Sequence, residues 1–348
     1  MTEPRSNDRY RRQIRVGSFG AQGQERLCAA RVGIVGQGAL GSRMAEELGR
    51  AGVGYLRLID RDWVEVSNLH RQHLFDDEDA RREEPKALAA ATRLAAINPT
   101  IEVEAQVCDL SAHNVDELLR DLDLLIDGTD NFQTRYLIND WCRREHKPWI
   151  YGACIASEAM AAAFVPEGPC LRCSFPAPPP SEAVQTCESA GVLPQAPGQV
   201  TVWQTALAMR LLSAKEDAPE KTPHSILFRA DLWKLESQAL KLPRQPSASC
   251  PCCARKEYPA LDTAQVPEAS SLCGRNAVQL SAPSGPAPSL DALESKLAGS
   301  GRIQRSKALL RLDIPEGRIT VFRGGRAIVQ GTEDPGRARA LYDRYLGS

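Results

Sequence analysis

At roughly 100–200 residues per domain, 348 residues suggest two domains, or a large one with a small companion. The 43% hydrophobic and 25% charged content is that of an ordinary globular chain with ample material for a core. A net charge of -1, from 43 basic and 44 acidic residues, excludes a global basic field for nucleic acid or an anionic membrane.

No apolar run approaches the roughly 20 residues of a membrane span. The opening MTEPRSNDRYRRQIRV carries no apolar signal-peptide core. A cytoplasmic location is therefore expected, with no nucleic-acid or membrane partner. Eleven Cys residues in that compartment argue for thiols and metal ligands rather than a disulfide framework.

In chain order, Arg31 to Val35 reads as a short buried strand. The glycine turn Gly36-Gln37-Gly38-Ala39-Leu40-Gly41 follows, then a helix from Ser42 and a second strand, Tyr55 to Ile59. That is a βαβ unit, the building block of parallel sheets. Pro85 marks a helix start, Lys86 to Ile97 is Ala- and Leu-rich, and Asn98-Pro99 stops it. Further strands are expected at Ile101–Val107, Leu124–Ile126 and Trp149–Ala153, with a helix over Val115–Leu122. The second half is less regular. Pro176–Pro180 and Pro194–Gly198 read as parts of a long loop, and Val200–Leu212 as a helix. Ile226–Ala230 and Trp233–Leu240 read as paired strands. A Pro/Ser-rich linker is placed at 256–289, followed by a compact α+β module over 290–348 with three β runs between Arg302 and Val329. The first domain then spans 1–255.

Gly36-x-Gly38-x-x-Gly41 lies between a strand and a helix, where glycines let the backbone approach a phosphate and the helix N-terminus supplies N–H donors. Asp60, nineteen positions past Gly41 at the next strand end, stands where a ribose-binding carboxylate belongs. The motif announces a nucleotide without choosing between NAD and ATP. The loops that follow make the choice. Asp60-Arg61-Asp62, Asn68, Arg71, Gln72, Lys86 and Asp130-Asn131 all fall after predicted strand ends, which face one crevice in a doubly wound sheet. Cations there can hold a triphosphate, and a carboxylate can hold Mg2+. Hydride transfer needs none of this, so nucleotidyl chemistry is favoured over an NAD-dependent oxidoreductase.

The order RYRRQI, GQGALG, DRDWVEVSNLHRQ, PK, DGTDN, PCLRC, TCESAGV and SCPCC resembles that of the ThiF/MoeB/HesA adenylyltransferases, relatives of the adenylation half of ubiquitin-activating enzymes. The resemblance covers about residues 8–255 and is closest to ThiF-like sulfur-carrier adenylyltransferases. It implies a Rossmann-like, doubly wound, mostly parallel sheet with an antiparallel extension and a four-cysteine zinc site. ATP would lie over Gly36, Gly38, Ala39 and Gly41, with Asp60 on the ribose and Asp62 nearby. Asn68, Arg71, Gln72 and Lys86 match phosphate contacts, Asp130 matches the magnesium-linked carboxylate, and Asn131 adjoins it. Arg12 matches an arginine supplied by the other subunit of a homodimer. The expected reaction is adenylation of the C-terminal Gly-Gly carboxylate of a ubiquitin-like sulfur carrier, for thiamine or molybdopterin biosynthesis. A sulfur donor such as a cysteine desulfurase would be a further partner. A tRNA-modifying dehydratase of the same superfamily is the alternative within this class.

Cys170-x-x-Cys173 and Cys250-x-x-Cys253 are two CxxC pairs, a donor set for tetrahedral zinc that would staple distant segments. Cys252 is left spare, because adjacent cysteines rarely both point at one metal. Cys187, in the Pro-bounded loop, is a candidate nucleophile for a covalent or persulfide link to the carrier. Cys28, Cys108, Cys142 and Cys154 read as packed thiols, and Cys273 is unplaced. Departures from the family pattern are small: Ala39 replaces a common glycine, and Glu84 stands two residues before Lys86 where some relatives have glycine. The tail is too short for a rhodanese domain and has no Cys after Cys273.

Overall fold

The computed structural model describes residues 5–179, 187–215, 226–243, 245–262, 269–272, 276–280, 289–305 and 309–347. The chain divides into two units, 1–263 and 264–348.

The first unit opens with α1 (Arg5–Ile14) and α2 (Gly20–Ala29). The βαβ unit follows as β1 (Arg31–Val35), α3 (Gly41–Ala51) and β2 (Tyr55–Ile59). Next come α4 (Asp77–Arg81), α5 (Lys86–Ile97), β3 (Glu102–Gln106), α6 (Val115–Leu119), β4 (Leu124–Asp127) and α7 (Phe132–Arg144). The unit continues with β5 (Trp149–Ile155), β6 (Glu158–Phe164), α8 (Leu171–Ser174), α9 (Cys187–Ala190), α10 (Gln195–Ser213), β7 (Ile226–Asp231) and β8 (Glu236–Lys241). Its eight strands run in the order β3-β2-β1-β4-β5-β6-β7-β8. The first five pair in parallel and the last three are added antiparallel.

Strand order reverses between β1 and β4, which lie side by side with Val35 opposite Asp127. Val35 also pairs with Ile59 of β2. The loops after β1, β2 and β4 therefore emerge together, at the place where open α/β sheets bind ligands. Apolar alternation builds a core on each face of the sheet. Val32, Ile34, Leu56 and Leu58 pack on one side with Met44, Leu48 and Leu94. Val35, Ile59 and Leu125 pack on the other with Ile138, Trp141 and Trp149.

Several elements differ from their sequence reading. Pro194–Gly198 is the start of α10, not loop. Pro197 is the third residue of that helix, where its missing N–H would have had no intrahelical partner. Glu158–Phe164, an Ala-rich run with no strand signature, becomes β6 because β5 and β7 flank it and its small side chains admit α10. Trp233 lies in the turn before β8 and is 78% exposed, rather than opening the strand.

The second unit is an antiparallel sheet with two helices. Its elements are β9 (Ala269–Leu272), β10 (Ala277–Leu280), α11 (Leu290–Leu297), β11 (Arg302–Arg305), β12 (Leu309–Ile314), β13 (Gly317–Phe322), β14 (Ala327–Gln330) and α12 (Pro335–Leu346). Strand order is β11-β12-β13-β14-β10-β9. Leu310, Leu312, Ile319, Val321 and Val329 bury one face against Leu293, Leu297, Ala338 and Leu341. The span 256–289, read as linker, thus contributes two strands to this sheet, and Ala260 and Leu261 pack instead on the first unit's core. Four strands, not three, lie between Arg302 and Gln330 among the described residues. Cys273 lies outside the described residues.

Tyr10 anchors α1. Its hydroxyl accepts from Asn98 Nδ2 at 2.8 Å, and its ring covers Gly52, where a Cβ would sit 2.4 Å from the ring. Gly52 also holds φ +89, which caps α3 in the left-handed region. Gly52→Ala should therefore destabilise the protein by about 1–3 kcal/mol, measured by chemical denaturation. A change within error would show that α1 is not held at this point.

Candidate active site

The three glycines of the loop do different work. Gly36 has φ +87, and a Cβ there would lie 2.7 Å from the Gly128 carbonyl oxygen. A Cβ on Gly41 would lie 1.7 Å from the Gly36 carbonyl oxygen. These two glycines are demanded by backbone packing. Gly38 is different: the nearest atom to a Cβ there would be Gln72 Nε2, at 3.8 Å. The open side of the loop is over Gly38, next to the N-terminus of α3. Ser42 steadies it, donating to the Gly38 carbonyl at 2.7 Å and accepting from the His73 N–H at 3.2 Å.

Asp60 ties this loop to the next. Its carboxylate accepts from the Gln37 N–H at 2.5 Å and the Asp62 N–H at 2.6 Å. Burial pushes its pKa up and the neighbouring Asp62 adds to this, while Lys86 opposes both. Lys86, at the head of α5, is 4% exposed and its Nζ lies 3.8 Å from Asp62 Oδ2. The pairing of Trp63 with Pro85 holds the two segments together.

Asn68 ends a short 3-10 turn, Val66–Asn68, and is buried. Its Oδ1 accepts from Gln72 Nε2 at 2.7 Å. Gln72 is also buried, and its Oε1 has no hydrogen-bond partner. The Gln72 atom nearest the open side of Gly38 is its amide nitrogen, Nε2, which the bond to Asn68 orients. Arg71 is half-buried and donates to the Ser67 carbonyl at 3.0 Å. Ala39 is half-buried beside the loop.

Asp130 is exposed at the end of the loop after β4. Asn131 caps α7, its Oδ1 accepting from the Thr134 N–H at 2.8 Å. Of the residues that hold this loop, Asp127 and Thr129 entered the sequence reading only as part of DGTDN, and Arg135 and Gln204 escaped it. Asp127, fully buried, accepts from the Thr129 N–H at 2.8 Å, the Thr129 hydroxyl at 2.7 Å and Arg135 Nε at 3.0 Å. Arg135 also donates to the Thr129 carbonyl at 2.8 Å and the Gly152 carbonyl at 3.1 Å. Gln204 of α10 donates to the Asp127 carbonyl at 2.7 Å. Burial pushes the Asp127 carboxyl up, against the pull of Arg135. No local pattern marks Arg135 or Gln204; they become partners only through the fold.

Arg12 is not brought to this crevice within its own chain. Tyr10 and Gln13 flank it, and Gln13 donates to the Ala51 carbonyl at 2.9 Å. That anchors this part of α1 at the C-terminal end of α3, about 15 Å along the helix from Gly41 at 1.5 Å rise per residue. Cys187 opens α9, and its side chain falls outside the described residues. The backbone just beyond it is pinned, with Ala156 N–H donating to Gly191 at 3.0 Å and Leu193 N–H to Ala156 at 2.9 Å. Ala156 follows the C-terminal end of β5, on the same sheet edge as the glycine loop.

Cys170, Cys173, Cys250 and Cys253 bring their sulfurs within 4.8 Å of one another. Sulfur pairs stand 3.6 Å apart (Cys170–Cys250), 3.6 Å (Cys173–Cys253) and 4.0 Å (Cys170–Cys173). Four thiolates about 2.3 Å from a tetrahedral ion would be about 3.8 Å apart, so the set fits zinc. Cys252 lies outside the set. Cys142 is buried as expected of a packed thiol, while Cys28 is exposed and Cys108 and Cys154 are half-buried.

The ThiF family pattern matches residues 10–252. A sulfur carrier protein ThiS adenylyltransferase of Bacillus subtilis is 38% identical over 341 residues, covering 97% of this chain and 99% of that protein. The chain belongs to the ThiF family. A sulfur carrier protein adenylyltransferase of Thermus thermophilus is 41% identical over 71% of this chain and 90% of its own length. E. coli MccB, solved with MccA-N7isoASN, shares the fold at a TM-score of 0.62 and 19% identity over 72% of this chain and 76% of MccB. This family membership makes the chain an adenylyltransferase, which draws its adenylyl group from ATP, and sets aside the oxidoreductase reading. The Bacillus subtilis match extends through the second unit as well.

Two outcomes are expected. Gly38→Ala should leave folding stability within about 0.5 kcal/mol of the parent, since the methyl meets nothing closer than 3.8 Å. It should weaken ATP binding at least about tenfold by obstructing backbone approach to the phosphates. Unchanged ATP affinity by calorimetry would move the nucleotide elsewhere. The purified protein should also carry one zinc per chain, and stripping it should lower the thermal midpoint because metal binding is coupled to folding. A midpoint that stays put after verified removal would deny the cysteines a stapling role.

Proposed function

We propose that this enzyme activates the C-terminal Gly-Gly carboxylate of a ubiquitin-like sulfur-carrier protein as an acyl-adenylate, releasing pyrophosphate. Thiamine or molybdopterin biosynthesis is the proposed pathway. The observation that carries the nucleotide site is the open space over Gly38, bordered by the Gln72 amide nitrogen, with the buried Lys86 proposed to serve it. The carrier reading is supported by the Bacillus subtilis relative, named for the carrier ThiS, whose match runs nearly end to end.

In this reading the triphosphate lies over Gly36–Gly41, with Asp60 toward the ribose and Asp62 near it. Asn68, Arg71, Gln72 and Lys86 contact the phosphates. The carrier's carboxylate attacks the α-phosphorus, the bond to the β-phosphate oxygen breaks, and pyrophosphate departs. The attacking group is already ionised, so no general base is needed. The chain's work is alignment and neutralisation of developing charge. Asp130, beside Asn131, would hold Mg2+, which supplies charge to the phosphates when bound. Arg12, anchored away from its own crevice, is proposed to serve the crevice of a partner copy, making the active unit a homodimer. Zinc is the proposed resident of the four-cysteine site. Cys187 is the proposed nucleophile for a later covalent or persulfide link, with a cysteine desulfurase as sulfur donor. No helix among the described residues is long and apolar enough to cross a membrane, and a cytoplasmic setting is proposed.

The test is ATP–pyrophosphate exchange with Mg2+, with and without candidate Gly-Gly carriers. Exchange should depend on a carrier. Asp130→Ala should lower it by about 10²–10³-fold, the usual scale for losing an electrostatic group at a reacting centre. Its thermal stability should hold, because Asp130 is exposed. Carrier-independent exchange, or an unimpaired Asp130→Ala, would refute the assignment.

A further inference from the structure

Two consecutive residues of α7 grip both cysteine pairs from behind. Asp140 is 0% exposed. Its Oδ1 accepts from Arg172 Nε at 2.7 Å and from the Cys252 thiol at 3.2 Å. Its Oδ2 accepts from Arg172 Nη2 at 2.9 Å and from the Ala260 N–H at 2.9 Å. The preceding Asn139, 1% exposed, accepts from the Leu171 N–H at 2.8 Å and donates to Asp140 Oδ1 at 3.0 Å.

Leu171 and Arg172 are the two residues between Cys170 and Cys173. Cys252 lies between Cys250 and Cys253. One carboxylate therefore holds the centre of each CxxC turn, and the segment after the second turn as well. A buried carboxylate–guanidinium pair is costly to desolvate and is by itself weak evidence of stabilisation. Nothing in the adenylation chemistry uses it. Two of the residues that donate to Asp140, Arg172 and Cys252, lie inside the CxxC turns that carry the four sulfurs. Groups that orient metal ligands from outside typically govern metal affinity by about 10- to 100-fold.

We propose that Asp140 is a positioning residue for the four-cysteine centre, aligning both turns for metal, and that Cys252 serves as a thiol donor to Asp140 and not as a ligand. The proposal rests on the zinc reading of the site.

The full-length protein, loaded with zinc, is assayed for stoichiometry and for release of zinc to a chromogenic chelator. The parent and Cys252→Ser should each hold one zinc per chain, the serine hydroxyl still donating to Asp140. Asp140→Asn, which keeps the shape and loses the charge, should hold zinc about 10- to 100-fold more weakly. Parent-like affinity in Asp140→Asn overturns the positioning role while leaving the zinc reading intact. Loss of zinc from Cys252→Ser overturns the donor assignment. A parent protein that takes up no zinc overturns the zinc reading itself, and with it the role of Asp140. If Asp140→Asn does not fold, Arg172→Lys breaks the two-pronged grip from the other side. The same weakening is then expected, and parent-like affinity again overturns the proposal.

Discussion

Three glycine backbones meet at the switch point of the parallel sheet. A Cβ on Gly128 would lie 2.6 Å from the Gly36 carbonyl oxygen, and one on Gly41 would lie 1.7 Å from the same atom. The loop after β1, the first residue of α3 and the loop after β4 can approach this closely only because none of the three carries a side chain. That contact sets the helix N-terminus and the Asp127–Asn131 loop around one crevice. Asp60, Lys86 and Gln72 are then placed by strands and turns that register against it.

Around the crevice the fold accepts buried charge. Asp127 with Arg135 and Asp140 with Arg172 are both nearly or fully withdrawn from solvent. Such pairs cost desolvation that their attraction does not reliably return. Their other contacts explain their presence. Arg135 reaches two backbone carbonyls of neighbouring segments, and Asp140 collects donors from three. Both pairs draw on α7, whose first turn follows Asp130 and whose later turns hold the cysteine turns. One helix thus ties the proposed magnesium end of the crevice to the proposed zinc staple.

Much of the first unit was legible because its signals are local. A strand, a glycine turn and a helix follow each other within about thirty residues. Pro85 and Asn98 bracket α5 as end signals should. The misreadings have equally local causes. Proline at the head of α10 resembles a loop until its position in the first turn is known, and the alanines of β6 have no strand preference of their own. The second unit was harder, since β9 and β10 precede a Pro/Ser-rich stretch, pair with each other, and join the rest of the sheet only where β10 meets β14, some fifty residues on.

The sequence by itself marked the nucleotide turn, the acidic residue that follows it, the cations and carboxylate proposed for the reacting crevice, and the two CxxC pairs. Each depends on residue type within a few positions, where backbone sterics and ligand spacing act directly. Only the tertiary structure decided which of the three glycines leaves room for a ligand and that the Gln72 amide, tied to Asn68, borders it. It alone placed Arg12 away from its own crevice, made Arg135 the clamp of the Asp130 loop, and turned Cys252 toward Asp140. Those outcomes join residues 8 to 112 positions apart. Contacts at that range are chosen by strand order and helix packing, which no short stretch of chain encodes.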